Sequence, residues 1–496
     1  MAPAVTMADV LSCPCPVLPD VTATAIDSDA AARNFKAPDS ILIIGAGVFG
    51  LSTAFALTKR PEFASTSITV LDRSPETGVF PARDASSVDS SRIIRPDYAD
   101  PAYAGLAAKA QAHWRQTSGP DALGGEGRYT ESGFVLAAND GPMARPDGTL
   151  TALAYVKTSW VNALALAQRE GRPLNSVRMM HSAWSVAKVT GAGEFADWGY
   201  LNEASGWADA EASMDWYYKR VVATGRVKFF NGTAESLETD DATRRVTGAR
   251  LKDGTTLSAD LAIAAAGAWT PTLVDLSSQA VATGQVLGYM DITEEEQKKL
   301  EKIPVMLNLS TGFFVIPPRN RVLKVARHAY GYINPKPLSK SPLGVPGSAK
   351  GQPKLVSQPY THLDDANLSI PPESEKELLE GLRKIIPLPE LKDRSFSRTR
   401  LCWYTDTPTG DWIVDYHPYW QGLFVATGGS GHAFKFLPVI GDSVVDCIMG
   451  KCPEQFQNKW KWKTVDNIEK AIVTEDGSRA GQQGLILEDE LKKHAN

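Results

Sequence analysis

A short run of branched apolar residues, Ser40-Ile-Leu-Ile-Ile, leads without a break into Gly45-Ala-Gly47-Val-Phe-Gly50. No other stretch restricts the fold of the chain as strongly. An uninterrupted apolar run of this length suits a parallel strand buried on both faces. Small and apolar residues at helical spacing follow over 51–59, Pro61 closes the pattern, and Ser67-Ile-Thr-Val-Leu-Asp72 reads as a second strand ending in an acid. The order predicts one βαβ unit. In such a unit Gly45 allows the tight turn, Gly47 lets the backbone approach a pyrophosphate, and Gly50 lets helix pack closely on strand. The helix start, with the N–H groups of Val48 and Phe49, is suited to phosphate, and Asp72 to a ribose hydroxyl. A dinucleotide site is therefore expected here, against the alternative of a glycine-rich turn with no ligand.

At 496 residues the chain has room for about three domain-sized units. Its formal charge of -5 and the lack of a basic block argue against nucleic acid as a partner. The five cysteines, at 13, 15, 402, 447 and 452, are odd in number and match no zinc spacing, so a reducing compartment and no bound metal are expected. No run approaches the roughly eighteen apolar residues of a membrane helix, the N-terminus lacks a signal-peptide pattern, and the C-terminus is not Ser-Lys-Leu. A cytoplasmic enzyme without a membrane partner is the expectation. Residues 1–38 read as an N-terminal extension.

Hydroxyl residues precede two arginines in Ala85-Ser-Ser-Val-Asp-Ser-Ser91-Arg92-Ile-Ile-Arg95-Pro-Asp-Tyr98. Arg92 is expected near a cofactor ring and Arg95 against a substrate carboxylate, which a guanidinium fork suits. Solvated loop arginines are the alternative. Helical patterns at 103–114 and 152–169 flank the strand-like Gly133-Phe-Val-Leu-Ala and open a second domain. A helix is expected at 211–224, a strand from Val227, and a hairpin around Asp253-Gly. Leu261-Ala-Ile-Ala-Ala-Ala-Gly267 is again a buried strand running into a glycine turn. From 281 to 398 the segments alternate as in an antiparallel sheet, with Lys324, Ala326 and His328 on one face of a strand. Residues 335–360 read as a long irregular loop able to cover the site, and 373–385 as a helix. Near the end, Cys402-Trp-Tyr404-Thr-Asp-Thr-Pro and Gly428-Gly429-Ser-Gly431-His432-Ala-Phe-Lys435 gather a thiol, a phenol, an imidazole and an amine among glycines.

Taken together these motifs resemble the D-amino-acid oxidase-like superfamily of FAD enzymes, in its sarcosine oxidase, pipecolate oxidase and fructosyl-amino-acid oxidase branch. The likeness runs from Ile41 to about Gly450. It implies an α/β FAD-binding Rossmann-like domain, discontinuous over 39–100, 206–275 and 402–465. An α+β substrate domain with a mostly antiparallel sheet would occupy 101–205 and 276–401, leaving 466–496 as a C-terminal tail. It also implies that Cys402 carries FAD covalently, whereas an ordinary buried cysteine is the alternative reading. Lys324 matches a lysine held near flavin N5, where a fixed charge favours oxygen reduction to peroxide; a solvent-facing strand lysine is its alternative. Arg95 and Lys435 match the residues that bind the substrate carboxylate, and Tyr404, His328 and His432 those lining the amine pocket. Val48, Phe49, Ser91, Arg92, Gly267, Gly429, Gly431, His432 and Lys435 complete the expected cofactor contacts.

Deglycating members of the branch carry an acid near the position of His328 and an arginine near that of His432, so fructosyl amino acids are not the expected substrates. Ala433 stands where a glycine is frequent, and the 1–38 arm has no counterpart. The expected activity is oxidation of a secondary amine, an N-methyl or cyclic amino acid, by O2 through FAD, giving an imine and H2O2, in a monomer. The chain also resembles fungal flavoenzymes that oxidise N-methylated aromatic amino acid intermediates in isoquinoline alkaloid assembly, which would place it in secondary metabolism. The alternatives are a flavin amine dehydrogenase using another electron acceptor and a flavin-binding protein without turnover.

Overall fold

The computed structural model describes residues 35–463, apart from 147, 278 and 345–354, and residues 473–493. Most of the expected N-terminal extension, with Cys13 and Cys15, lies outside the described residues. The βαβ unit stands at the centre of a six-stranded sheet. Its strands run in the order Ile413–Tyr416, Leu423–Thr427, Leu261–Ala264, Ser40–Ile44, Ser67–Asp72 and Val227–Asn231. All neighbours are parallel except the first pair, which is antiparallel.

The continuous apolar character of Ser40–Ile44 has a direct cause. Ile41 and Ile43 enter one hydrophobic core while Leu42 and Ile44 enter another on the opposite face. Each such burial contributes about 1.5–3 kcal/mol, so neither face tolerates a polar residue. The helix Val48–Lys59 packs on the late helix Ile440–Ile448, tied by the Ser52 hydroxyl, which donates to Leu437 O at 2.7 Å and accepts from Gly441 N at 2.8 Å. This contact joins segments more than 380 residues apart.

A second, ten-stranded sheet is built on Val281–Asp291, which pairs antiparallel with Arg398–Asp406 along most of its length and with Val322–Arg327 at its far end. Its outer strands continue through Phe313–Arg319, Val305–Asn308, Phe134–Ala138, Trp198–Asn202 and Val177–Met180. Two of its pairs are parallel, Val305–Asn308 with Phe134–Ala138 and Tyr332–Ile333 with Leu485–Ile486; the other named pairs are antiparallel. The strand carrying Cys402 therefore belongs to this sheet and straddles the expected boundary at 402. The helix Pro372–Ile385 buries Leu378, Leu382 and Ile385 against it.

Residues 335–360, expected as irregular, contain the short antiparallel pair Pro335–Pro337 and Leu355–Ser357. Residues 473–493, expected as a tail, are integrated into the fold. The Thr474 hydroxyl donates to Thr407 O (2.9 Å), Glu475 N donates to Pro408 O (2.9 Å), and Leu485–Ile486 extends the ten-stranded sheet. Among the described residues no helix is long and apolar enough to cross a membrane.

Candidate active site

At the C-terminal end of Ser40–Ile44 the chain turns at Gly45, whose φ of 108° an L side chain rarely adopts. A Cβ there would meet Ala265 O, and one on Gly50 would overlap Gly45 O. A Cβ on Gly47 would meet nothing within 4 Å, because that position faces a cleft of about 540 Å³. Ala46 N donates to Asp72 Oδ2 (2.7 Å), while Asp72 Oδ1 accepts from Ala82 N (3.0 Å) and Ser74 N (3.1 Å). Asp72 thus pins the glycine turn to the second strand as well as lining the cleft. Burial raises its pKa, against the lowering effect of those backbone donors.

The helix from Val48 has no side-chain cap and no acid in its first turn, so its N–H groups are free to meet an anion. Val48, Phe49, Gly267 and Gly429 line the same cleft, and Gly267 has φ 53° with open space where a Cβ would stand. Pro337, Leu338, Ser339 and Lys340, from the start of the 335–360 segment, line it too. An uncapped helix start, an open glycine and a terminal acid on one cleft fit FAD. Two substitutions should separate fold from binding. Gly50→Ala is expected to destabilise the protein by about 3 kcal/mol in urea unfolding, since its methyl meets backbone. Gly47→Ala should leave unfolding of the flavin-free protein unchanged yet weaken FAD binding in a fluorescence titration.

A smaller cavity of about 80 Å³ adjoins the cleft, and Arg92, Tyr404, Gly431 and Phe434 line both. Gly431 (φ 68°) lies against the Tyr404 ring, where any Cβ would overlap it. Arg95, Lys324, His328, Cys402, His432 and Lys435 also line the cavity, so these functional side chains reach one place from four separate stretches, 92–95, 324–328, 402–404 and 431–435. Ser91 contributes its carbonyl, not its hydroxyl, by accepting from Lys324 Nζ at 2.8 Å.

Lys324 is 2% exposed, which excludes the solvent-facing reading of this residue. Its ammonium donates to Asp89 Oδ2 at 2.7 Å. Asp89, equally buried, also pairs with Arg92 and accepts from the Tyr289 hydroxyl at 2.8 Å. Burial alone would raise its pKa, but Arg92, Lys324 and Arg400 hold it well below the usual carboxylate range. One carboxylate thus faces two cations, leaving the cluster positive while Lys324 is protonated. Burial pulls the lysine down to about 7 although Asp89 opposes it. Arg92 Nη2 also reaches Cys402 Sγ at 3.4 Å.

Arg95 is 8% exposed, its guanidinium lies over the rings of Tyr98 (4.8 Å) and Phe134 (5.3 Å), and its Nη1 has no hydrogen-bond partner. A buried donor left unpaired favours an anionic ligand. Lys435 Nζ donates to Tyr98 OH (2.9 Å) and His432 O (2.7 Å), and burial with Arg95 nearby depresses its pKa strongly. His432 is held on both ring nitrogens. Gly410 O can only accept, at 2.9 Å, so Nε2 carries the proton and Nδ1 accepts from Tyr98 OH at 3.0 Å. Burial first, then Lys435, keep this imidazole neutral. His432 stacks on Trp412 at 5.5 Å and orients Lys435 through Tyr98.

Asp89, Tyr98, Tyr289, Asp406 and Arg479 went unnoticed as site residues in the sequence. For Asp89 and Tyr98 a signal existed: an acid three positions before Arg92, and a tyrosine three after Arg95. Nothing local marks Arg479.

A dinucleotide cleft sharing a wall with a small cationic cavity defines a cofactor-dependent oxidoreductase. The chain belongs to the DAO family, described as FAD dependent oxidoreductase, whose family model matches residues 40–447. It is 33% identical to the amino acid oxidase imqH of Aspergillus flavus over 483 residues, covering 88% of this chain and 99% of that protein. It is 28% identical to the L-saccharopine oxidase of Schizosaccharomyces pombe, with 86% and 94% covered. Its fold matches the fructosamine oxidase Amadoriase II of Aspergillus fumigatus with a TM-score of 0.71 and 24% identity, covering 93% and 98%. The chain is thus an FAD-dependent oxidoreductase.

Proposed function

We propose that the protein is an oxidase of secondary amines, acting on an N-methyl or cyclic amino acid and passing its electrons to O2 with formation of H2O2. The observation that carries this reading is the set of groups around one cavity. Arg95, with an unpaired Nη1, and Lys435 supply the means to hold a carboxylate, and Lys324 adds a buried cation on the same cavity wall. Relatives named for the oxidation of amino acids support the substrate class. FAD, when bound, accepts a hydride equivalent from the carbon next to nitrogen.

The work of the chain is positional. Arg95 and Lys435 clamp the carboxylate and so fix which carbon faces the cofactor, a gain that comes from orientation. Tyr404, between cleft and cavity, is kept protonated by burial, which outweighs the nearby arginines. His328 and His432 are both held neutral, mainly by burial, so the pocket adds no imidazolium beside the substrate amine. A pocket already rich in arginine and lysine disfavours the ammonium form, and the neutral amine is the form that gives up hydride. Cys402 is the proposed covalent anchor, and the proposed division is an FAD-binding part over 39–100, 206–275 and 402–465 and a substrate part over 101–205 and 276–401.

The test is a peroxide-coupled screen of N-methyl and cyclic amino acids, aromatic ones included. Turnover with an artificial acceptor only, and no peroxide, would replace this reading by a dehydrogenase. The charge on Lys324 makes a second expectation. The cation exists below its pKa, so the rate of the oxygen step should fall as pH rises through about 7. Asp89→Asn removes the group that raises this pKa, and the falling limb should move to lower pH in oxygen-jump measurements.

A further inference from the structure

The C-terminal segment delivers one side chain to the heart of the site. Arg479 is 4% exposed, pairs with Asp406, and donates from Nη2 to Ser430 O at 3.0 Å. Its Nη1 lies 3.3 Å from His328 Nδ1 and 3.4 Å from Ala329 O, and its guanidinium faces the Tyr404 ring at 5.2 Å. Asp406 is fixed in turn by the Thr283 hydroxyl (2.6 Å), and Thr283 by Gln285 Nε2 (3.2 Å). Gln285 and His328 line the substrate cavity, whereas Thr283, Asp406 and Arg479 line a separate cavity of about 270 Å³. This row of side chains is the wall between the two cavities.

A guanidinium has only donors. At His328 Nδ1 it therefore requires a lone pair, which leaves the imidazole proton on Nε2. Among the described residues no hydrogen bond engages that Nε2, and the ring lines the substrate cavity. We propose that Arg479 is a positioning residue that holds His328 as a neutral imidazole with its proton on Nε2, offered as a donor to an oxygen atom of the substrate. His328 is then a hydrogen-bond donor for the ligand and not the base that takes a proton from its amine. This deepens the amine-oxidase reading and rests on it for the identity of the ligand, but the tautomer of His328 is a property of the protein alone.

The charged and titratable groups around His328 agree with the assignment. Arg479, Arg95, Lys435 and His432 all disfavour a positive ring, adding to burial, while Tyr404 packs at 6.0 Å and Asp406 is turned toward Arg479. The 473–493 segment reaches this wall because it is anchored on both sides of Arg479, by Thr474 on Thr407 and by Ala480 O, which accepts from Tyr330 N at 3.0 Å.

The experiment is nitrogen NMR of the full-length holoenzyme labelled with 15N-histidine, across pH 5 to 9, with His328 assigned from His328→Gln. Wild-type protein should show His328 as the Nε2–H tautomer without titration in this range. In Arg479→Met/Asp406→Leu, which removes both members of the buried pair together, the His328 signal should change tautomer or begin to titrate. Should that variant fail to fold, Arg479→Met alone is read in the same way, because methionine has no donor and Asp406, already raised by burial, can protonate once its partner is gone. A wild-type proton on Nδ1, or an unchanged His328 signal in the variant, overturns the proposal. With an oxidised amino acid from the screen, both Arg479 variants should lose roughly ten- to a hundredfold in kcat/KM, the effect of one charge-organised hydrogen bond. If no secondary amine is oxidised, the function fails while the NMR result still decides the role of Arg479.

Discussion

Lys324→Met is expected to slow reoxidation of the reduced enzyme by O2 by about 10²–10³-fold, the usual effect of removing one preorganised charge from a water-excluded site. Reduction by substrate should change by less than about tenfold. The difference arises because Lys324 lies deep in the wall, bonded to Asp89 and Ser91 O and 2% exposed, whereas the proposed carboxylate clamp is Arg95 with Lys435. Methionine matches the length of the stem and fills the same space without charge. Removing one partner of a buried pair costs up to about 3–5 kcal/mol when the other charge is stranded. Asp89 would not be stranded, because Arg92 and the Tyr289 hydroxyl remain on it. The variant should therefore fold and retain flavin. Rapid-mixing measurement of the two half-reactions separately is the check; equal losses in both would remove the oxygen role from Lys324.

The second large effect concerns Cys402. Wild-type protein precipitated with acid is expected to retain its yellow colour, and its denatured mass should exceed that of the chain by one FAD less the two hydrogens lost on forming the thioether. Cys402→Ala should release all flavin into the supernatant while the fold persists. Cys402 is 2% exposed and packs with Leu287, Tyr289 and Ala326, as a small hydrophobe would. Arg92 Nη2 at 3.4 Å adds what a packing role does not need, since reactive cysteines characteristically stand beside a cation. Free flavin from the wild-type protein would return Cys402 to a packing role. Cys447, buried on the helix Ile440–Ile448, has Cys452, Asp446 and Asp415 and no arginine around it among the described residues, and serves as the internal comparison.

The two parts of the site differed in how far they could be read from the sequence. The glycine turn and its flanking strands were legible because every group that defines them lies within about thirty residues, and sterics act over that distance. The helix 152–169 was likewise visible, and it is present with those bounds. Cys402, Lys324, His328, Arg95 and Lys435 stood out through motif resemblance. Their burial and partners did not: Lys324 meets Asp89 across 235 residues and Lys435 meets Tyr98 across 337.

By itself, then, the sequence determined the dinucleotide unit, the class of cofactor, and which basic and imidazole side chains to watch. Tertiary structure decided what each of those groups can do. It buried Lys324 against Asp89, occupied both nitrogens of His432, and brought Arg479 from a segment read as a tail onto His328. The physical reason is that local backbone preference is written in neighbouring residues. Charge state, tautomer and hydrogen-bond direction depend instead on which distant groups share a dry cavity, and only the closed sheets and the docked C-terminal segment fix that.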